Sequence, residues 1–416
     1  MKSNKQNLKK EQKEQIMRKT RVYFVLPHSF ESFFPDIKKN IQNIAHLDHF
    51  STRYIDFMLR YSKKYDFELF AISSTIKKPV RIWHKKGFYM HLFPRDFPSI
   101  LPLETSRSML KEIERLCKKE KGLIWHLNSY YLIMSDPISI ILHKYKQNFG
   151  IHHRGAGFSI KTLPYSIYKY WIMNPIIFKY AKLVIAENKD EREKLLSFYH
   201  LDSSKVIYAP NPVDIIPIHK NKAELRKELG LPLDKKIILY AGRLMRGKGV
   251  VKLTKSFIAR LKKNKDIYFL LIGGGQSYEE IVKMIKDAGI DNSRVINWVV
   301  KADLFKYYNA CDLFVHPNMN VKFEGTPNAL IECQGTGLPV VGFNVGGVRD
   351  IVKPGYCGEL EYSNDMDKFV DRAMRLAKNK KLLSKMKVNA VKNYHKNFDA
   401  NQILKIYDKI YEILSK

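Results

Sequence analysis

Short apolar runs alternate with stretches of helical period along most of the chain, and this alternation limits the fold more than any single residue does. In the first half, RVYFVLP (21–27), FELFAI (67–72), GLIWHL (122–127), FGIHH (149–153), KLVIAE (182–187) and KVIYAP (205–210) read as strands. Helical-period segments at 50–64, 105–120, 131–147, 166–180 and 189–199 lie between them. The pattern restarts with KIILYAG (236–242), IYFLLIG (267–273), RVINWV (294–299), DLFVHP (312–317) and LPVVGF (338–343). Helices are expected there near 249–263, 277–288, 302–310, 327–335 and 366–395. Strand–helix–strand repetition of this kind builds parallel sheets.

The break between the halves is the proline-rich PNPVDIIP (210–217), followed by a charged linker helix. The chain therefore reads as two doubly wound α/β domains in series, at 21–215 and 216–395, after a basic arm at 1–20. An amphipathic helix within 396–416 closes the chain and is free to dock on either domain, including by crossing back to the first. With 416 residues, 45% of them hydrophobic and 12% aromatic, two full cores can form and disorder is excluded. No uninterrupted run of about 18 apolar residues occurs, so no membrane-spanning helix is expected. The first residues lack the apolar stretch of a signal peptide. Cys117, Cys311, Cys333 and Cys357 form no C-x-x-C pair, which fits a reducing compartment without disulfides or zinc and a cytoplasmic location. The net charge of +32 favours anionic partners, either nucleic acid or an anionic membrane. Because the lysines are spread along the chain, a compositional bias of the genome explains them equally well.

Each segment with chemical character follows a strand. YAGRLMRGKGV (240–250) sets Arg243 and Lys248 among Gly242, Gly247 and Gly249. The glycines let backbone approach a ligand, and the fork of Arg with the point charge of Lys suits a diphosphate. It is not a Walker A loop, and an ordinary basic loop would account for either cation alone. IGGGQ (272–276) offers Gly273 and Gly274 for close approach of a nucleotide, although turn geometry alone commonly uses such glycines. EGTPNALIECQGTGLPVV (324–341) carries Glu324 and Glu332 eight positions apart. Thr326 reads as an N-cap and Pro327 as the first helical residue, with Glu332 about two turns inside. N–H groups near Gly325 and Thr326 would then form an anion site. The alternative is a dipole-suited acidic start and a solvated glutamate.

Taken together, AGRLMRGKG, IGGG, YYNACDLFVHPN, EGTPNALIECQGTGLPVV and NVGGVRDIV fill most of residues 236–352. In that order they resemble glycosyltransferase family 4. The resemblance implies the GT-B fold, two Rossmann-like domains facing across a cleft, and a retaining enzyme that uses a nucleotide-sugar. It implies that Arg243 and Lys248 hold the donor diphosphate with help from Gly325 and Thr326, and that Glu332 binds the ribose hydroxyls. Glu324 would contact the donor sugar, and His153 would face it from the first domain. In the first half HHRGAG (152–157) and PNPVD (210–214) match more loosely, and the glycine-rich loop usual after the first strand is replaced by LPHSFESFFP. His152 competes with His153, His126 reads as structural, and Arg154 stands where the family commonly has a small residue.

Asn297 and Trp298 replace a common glycine where the base often sits, so they are possible nucleotide contacts and the base is left open. The string Asp365-Met366-Asp367 imitates a metal-binding D-x-D but reads as a helix start, and no metal or other cofactor is expected. The implied front-face mechanism needs no protein nucleophile. On the acceptor side, YSIYKYWIMNPIIFKYAK (165–182) mixes aromatic residues and lysines as interfacial helices do, although a core helix with exposed lysines is as economical. With the charge, this suggests peripheral contact with the inner face of an anionic membrane and a glycan or lipid-linked acceptor, rather than nucleic acid. The rivals are another GT-B enzyme, such as an epimerase or phosphorylase, and a basic nucleic-acid-binding Rossmann protein.

Overall fold

The computed structural model describes residues 19–30, 50–97, 103–153, 163–319 and 325–416. The basic arm, except for its last two residues, is thus outside the described residues. The chain packs into two compact units. Met1–Ala186, Arg192–Ala209 and Leu404–Lys416 make the first, and Glu187–Glu191 with Pro210–Ile403 make the second.

The first unit is built on strands β1 (Thr20–Ser29), β2 (Tyr65–Ser73), β3 (Val80–His84), β4 (Phe88–Pro94), β5 (Ile124–Leu127), β6 (Asn148–His153), β7 (Leu183–Ala186) and β8 (Val206–Tyr208). Their order is β3-β4-β2-β1-β5-β6-β7-β8. All neighbours are parallel except β3 and β4. That hairpin is absent from the sequence reading. Its strands alternate buried and solvent-facing residues, with Trp83 and Tyr89 exposed, so they lack the continuous apolar run of a strand covered on both faces. The turn depends on Gly87 at φ 87°, in the left-handed region, whose N–H donates to the His84 carbonyl at 2.9 Å.

The closing helix, Ala400–Ser415, packs its last turns on the first unit. Tyr411 is buried, its hydroxyl 2.6 Å from that of Tyr54 and 2.8 Å from His126 Nδ1. His126 Nε2 meets His152 Nδ1 at 2.7 Å, so His126, read as structural, and His152, the competitor of His153, join one buried polar chain.

The second unit holds β9 (Lys236–Ala241), β10 (Ile267–Ile272), β11 (Ser293–Ile296), β12 (Leu313–His316), β13 (Val340–Phe343) and β14 (Gly358–Glu361). The order β11-β10-β9-β12-β13-β14 is that of a nucleotide-binding Rossmann sheet, which changes direction between β9 and β12. Ring stacks on one face of the sheet, Phe257 on Phe269 and Phe343 on Phe369, fill the core at centroid distances of 4.0 and 4.6 Å. The sequence reading omitted β14 and a four-residue helix, Val348–Ile351, both too short to show a period. It also ran one helix through 366–395, whereas Met366–Lys378 ends at Asn379 and Lys380–Asn397 begins there. Asn379 leaves helical geometry at φ −86° and ψ 83° and caps the second helix by accepting from Leu382 N–H.

Asp365 caps Met366–Lys378 by accepting from the N–H groups of Asp367 and Lys368, and Asp367 pairs with Arg260 at 2.8 Å. The D-x-D imitation is therefore a helix start, as expected. All four cysteines are buried and unbridged. Among the described residues no helix is long and apolar enough to cross a membrane.

Candidate active site

Glycines bring the loops after successive strands of the second unit together. A Cβ on Gly273, after β10, would lie 1.9 Å from the Gly242 carbonyl oxygen, after β9. The same two loops are laced by Leu244 N–H donating to Gly274 O and Ser277 N–H donating to Leu244 O, both at 2.9 Å. Gly249, at φ 77°, brings the β9 loop against the segment after β12, where a Cβ would stand 2.4 Å from Pro317 O. After β13, a Cβ on Gly347 would stand 2.4 Å from Gly325 O. Four neighbouring strand ends thus meet backbone to backbone, at the end of the sheet where such folds bind ligands.

The cations stand on this frame. Arg243 is exposed just past β9, and the Tyr240 hydroxyl donates to its carbonyl at 2.9 Å, fixing the turn beneath it. Lys248, half-buried, ends a tight turn (Arg246–Lys248) from which the helix Val250–Leu261 starts without a side-chain cap. An uncapped N-terminus beside two cations suits an anion. A cavity of about 300 Å³ opens there, lined by Arg246, Gly247, Gly249, Lys252 and Met319. Arg246 is held by Glu280 at 2.5 Å. Not marked in the sequence are Arg246, in the same basic loop, and Lys252, in the first turn of the helix that follows it.

Glu332 departs from both of its expected settings. It is the fifth residue of the helix Asn328–Gly335, not two turns in, and it is 6% exposed rather than solvated. The Tyr308 hydroxyl donates to its Oε2 at 3.0 Å, and Lys301 Nζ lies 3.4 Å from Oε1. Burial and the neighbouring carboxylate push the Tyr308 phenol well above its ordinary range, so it stays a donor. Thr326 is not the N-cap. Its hydroxyl donates to the Glu187 carbonyl, and Pro327 takes the cap position at φ −70° and ψ 111° without a side-chain bond. Glu187, unmarked in the sequence, also lies close to Gly325: a Cβ there would be 2.7 Å from Glu187 Oε2. Glu324 lies outside the described residues.

Gly273 and Gly274 are brought together with Asn297 and Trp298. A Cβ on Gly274 would fall 2.3 Å from Trp298 Nε1 and 2.9 Å from Asn297 Oδ1. Trp298 is 65% exposed, an aromatic face at a strand end.

In the first unit, His153 ends β6 and is buried, stacked on Tyr130 at 4.2 Å and 7°. His152 is occupied by His126, which separates the two histidines. Arg154 and the rest of HHRGAG lie outside the described residues. Nearby, Lys169 sits in a π-helical turn (Tyr168–Met173) and pairs with Asp136, both fully buried. Burial lowers the lysine and raises the aspartate, each opposed by the other's charge. At the end of β1, where the glycine loop is missing, Glu104 accepts from Ser29 N–H and Oγ at 2.5 and 2.7 Å and from Arg95 at 3.0 Å. Nothing local in the sequence marks Glu104, because its partners lie far along the chain.

Two parallel-sheet Rossmann-like units in series, the second with ligand-type loops, make this a GT-B glycosyltransferase fold. Residues 221–393 match the model of the family described as "Glycosyl transferases group 1", and the chain is a glycosyltransferase. It is 25% identical over 333 residues to "UDP-Gal:alpha-D-GlcNAc-diphosphoundecaprenol alpha-1,3-galactosyltransferase" of Escherichia coli, covering 79% of this chain and 83% of that one. It is 21% identical to the capsular polysaccharide biosynthesis glycosyltransferase CapM of Staphylococcus aureus, covering 84% and 97%. Of other curated relatives it spans about half, such as 49% of the N-acetyl-alpha-D-glucosaminyl L-malate synthase of Bacillus anthracis. Among solved structures, Anabaena HepE in complex with UDP and glucose superposes with a TM-score of 0.69 at 16% identity, covering 95% of this chain and 99% of that one.

Proposed function

We propose that this glycosyltransferase moves a sugar, with retention of configuration, from a nucleotide-sugar to a lipid-linked or cell-envelope glycan at an anionic membrane face. The observation that carries the donor half is the set of strand-end loops closed backbone to backbone around Arg243 and Lys248. In this reading the two cations neutralise the diphosphate as the bond from sugar C1 to phosphate oxygen breaks. The acceptor oxygen bonds to C1 on the same face, and its proton passes to the leaving phosphate. Gly325 and Thr326 support the phosphates, and the Glu332 carboxylate takes the ribose diol. Glu324 and His153 contact the sugar, while Asn297 and Trp298 meet the base. No metal enters the scheme. The names of the Escherichia coli and Staphylococcus aureus relatives support the acceptor class, and UDP in HepE makes UDP the first nucleotide to try.

The membrane half is supported by a run of exposed apolar side chains, Leu163, Ile167, Trp171 and Ile172, with Trp171 against exposed Phe198 at 5.3 Å. Exposed Lys179 and a net charge of +32 accompany them, whereas Lys169 of the same stretch is buried against Asp136.

A thermal-shift screen against UDP, GDP, ADP, CMP and their sugars tests the donor half. One nucleotide should raise the midpoint, and Lys248→Ala should abolish the rise. No response to any nucleotide would remove the reading. Flotation with liposomes tests the membrane half: binding should require anionic lipid, weaken with salt, and fall in Trp171→Ser.

A further inference from the structure

The first unit holds a second cavity, of about 630 Å³, which the proposed reaction does not use. It runs along the β3–β4 edge of the sheet: β1 contributes Arg21 and Tyr23 from its start, β2 contributes Glu68, and the β3–β4 hairpin contributes Arg81 and His91, with Phe93 near the end of β4. The helix Arg107–Lys119 closes it with Lys111 and Arg115 from its middle turns. The edge hairpin, not the parallel sheet, therefore forms one wall.

The cations there are held in place. The Arg81 guanidinium lies 3.5 Å over the Tyr89 ring, and Arg115 is gripped through two nitrogens by Glu112 at 2.8 and 2.7 Å. At the bottom, Glu68 is 8% exposed and accepts from His91 Nε2 at 2.5 Å. Burial alone would raise its carboxyl, but His91, Arg21 and Arg81 more than reverse this and keep it ionised. Arg21 and Arg81 both stand 3.7 Å from Glu68 Oε1, beyond hydrogen-bond reach, so this contact does not consume their N–H groups, although Arg21 also hydrogen-bonds the Tyr23 hydroxyl. Forked donors of this kind suit a carboxylate or phosphate. The nearby carboxylates suit hydroxyl groups, and Val80, Leu92 and Leu116 offer apolar wall for C–H faces. The volume is far more than a bare ion fills, since a water occupies ~30 Å³.

We infer that this cavity is a second saccharide site, for a sugar bearing a carboxylate or phosphate, read by Arg21, Arg81 and Lys111 over the Glu68–His91 pair. The choice of a saccharide rests on the chain being a glycosyltransferase; the cavity's charge pattern does not.

Calorimetric titration of the full chain tests it with four probes: a glucuronic-acid-containing disaccharide, maltose, inorganic phosphate and UDP. The acidic disaccharide should bind saturably and weaken at high salt. Arg81→Ala combined with Lys111→Ala should weaken it at least ~10-fold, the order of one lost charge-assisted contact, and leave UDP binding unchanged. Lys111→Glu, a surface change with the fold checked by its melting midpoint, should do the same. Equal binding of maltose, equally tight binding of phosphate alone, or binding indifferent to both variants would each overturn the inference. Loss of UDP binding in the unaltered protein would count against the donor reading and leave this site standing.

Discussion

At the carboxyl ends of β9, β10, β12 and β13 the contacts between neighbouring loops are backbone on backbone, through Gly242, Gly273, Gly249 and Gly347. At the corresponding ends of β1, β5 and β6 they are made by side chains: Ser29 with Glu104, Tyr130 on His153, His126 with His152. Backbone packing leaves the space above the loops open to a ligand and tolerates almost no substitution. Side-chain packing fills that space with aromatic rings and hydrogen bonds, which are costly to strip but easier to vary. The second unit therefore keeps its strand ends clear of its own side chains, whereas the first fills them.

The sharpest way to break this contrast is a single methyl group. Gly273→Ala places a carbon against the Gly242 carbonyl and should destabilise the second unit by about 4 kcal/mol or more, read by urea unfolding. Near-normal stability would show that the loops can part. Lys248→Ala should instead leave the unfolding midpoint in place and lower the transfer rate ~10²–10³-fold, the effect of losing one preorganised charge contact.

In the first unit the corresponding weakness is pH. Burial pushes His28 down to about 4 from 6.5, partly opposed by its bond to Ser29 O and the charge of Glu104. A depressed folded value means that the stability of neutral His28 is whole above pH 6.5 and is lost as pH falls toward 4. The full loss is about 3 kcal/mol, at ~1.4 kcal/mol per pKa unit. His28→Met should flatten that part of the stability profile. In the second unit, Glu361 is lowered to about 2: burial opposes the shift, and its bonds to Ser363 and Arg372 outweigh that opposition. Its contribution is therefore present above pH 4.5 and lost only as pH falls toward 2. Unfolding followed by probes in each unit should show the first weakening at the milder acidity. The smallest effect is expected for Tyr411→Phe, at about 1 kcal/mol for one buried hydroxyl. A larger loss would make the closing helix more important to the first sheet than its hydrogen bonds suggest.

The same contrast explains what could be read from the sequence. Arg243, Lys248, Gly273 and Gly274 lie within a few residues of the strands that position them, so their spacing already describes the loop. Both Rossmann-like sheets were legible for that reason. The β3–β4 hairpin was not, because edge strands alternate instead of running apolar. Glu104, 75 positions from Ser29, could not be seen at all, and neither could Lys169 with Asp136, 33 positions apart. Thr326 misled because its spacing fits an N-cap, yet its hydroxyl is turned to the distant Glu187 carbonyl and the helix starts a residue later, with Pro327 at the cap.

The clash around Gly274 carries a practical consequence. The glycines of the second unit are a fixed mould, but the two side chains leaning over that one, Asn297 and Trp298, come from a strand end with an exposed tip. Under the proposed function, retuning base choice means randomising those two positions and leaving every glycine of the mould untouched.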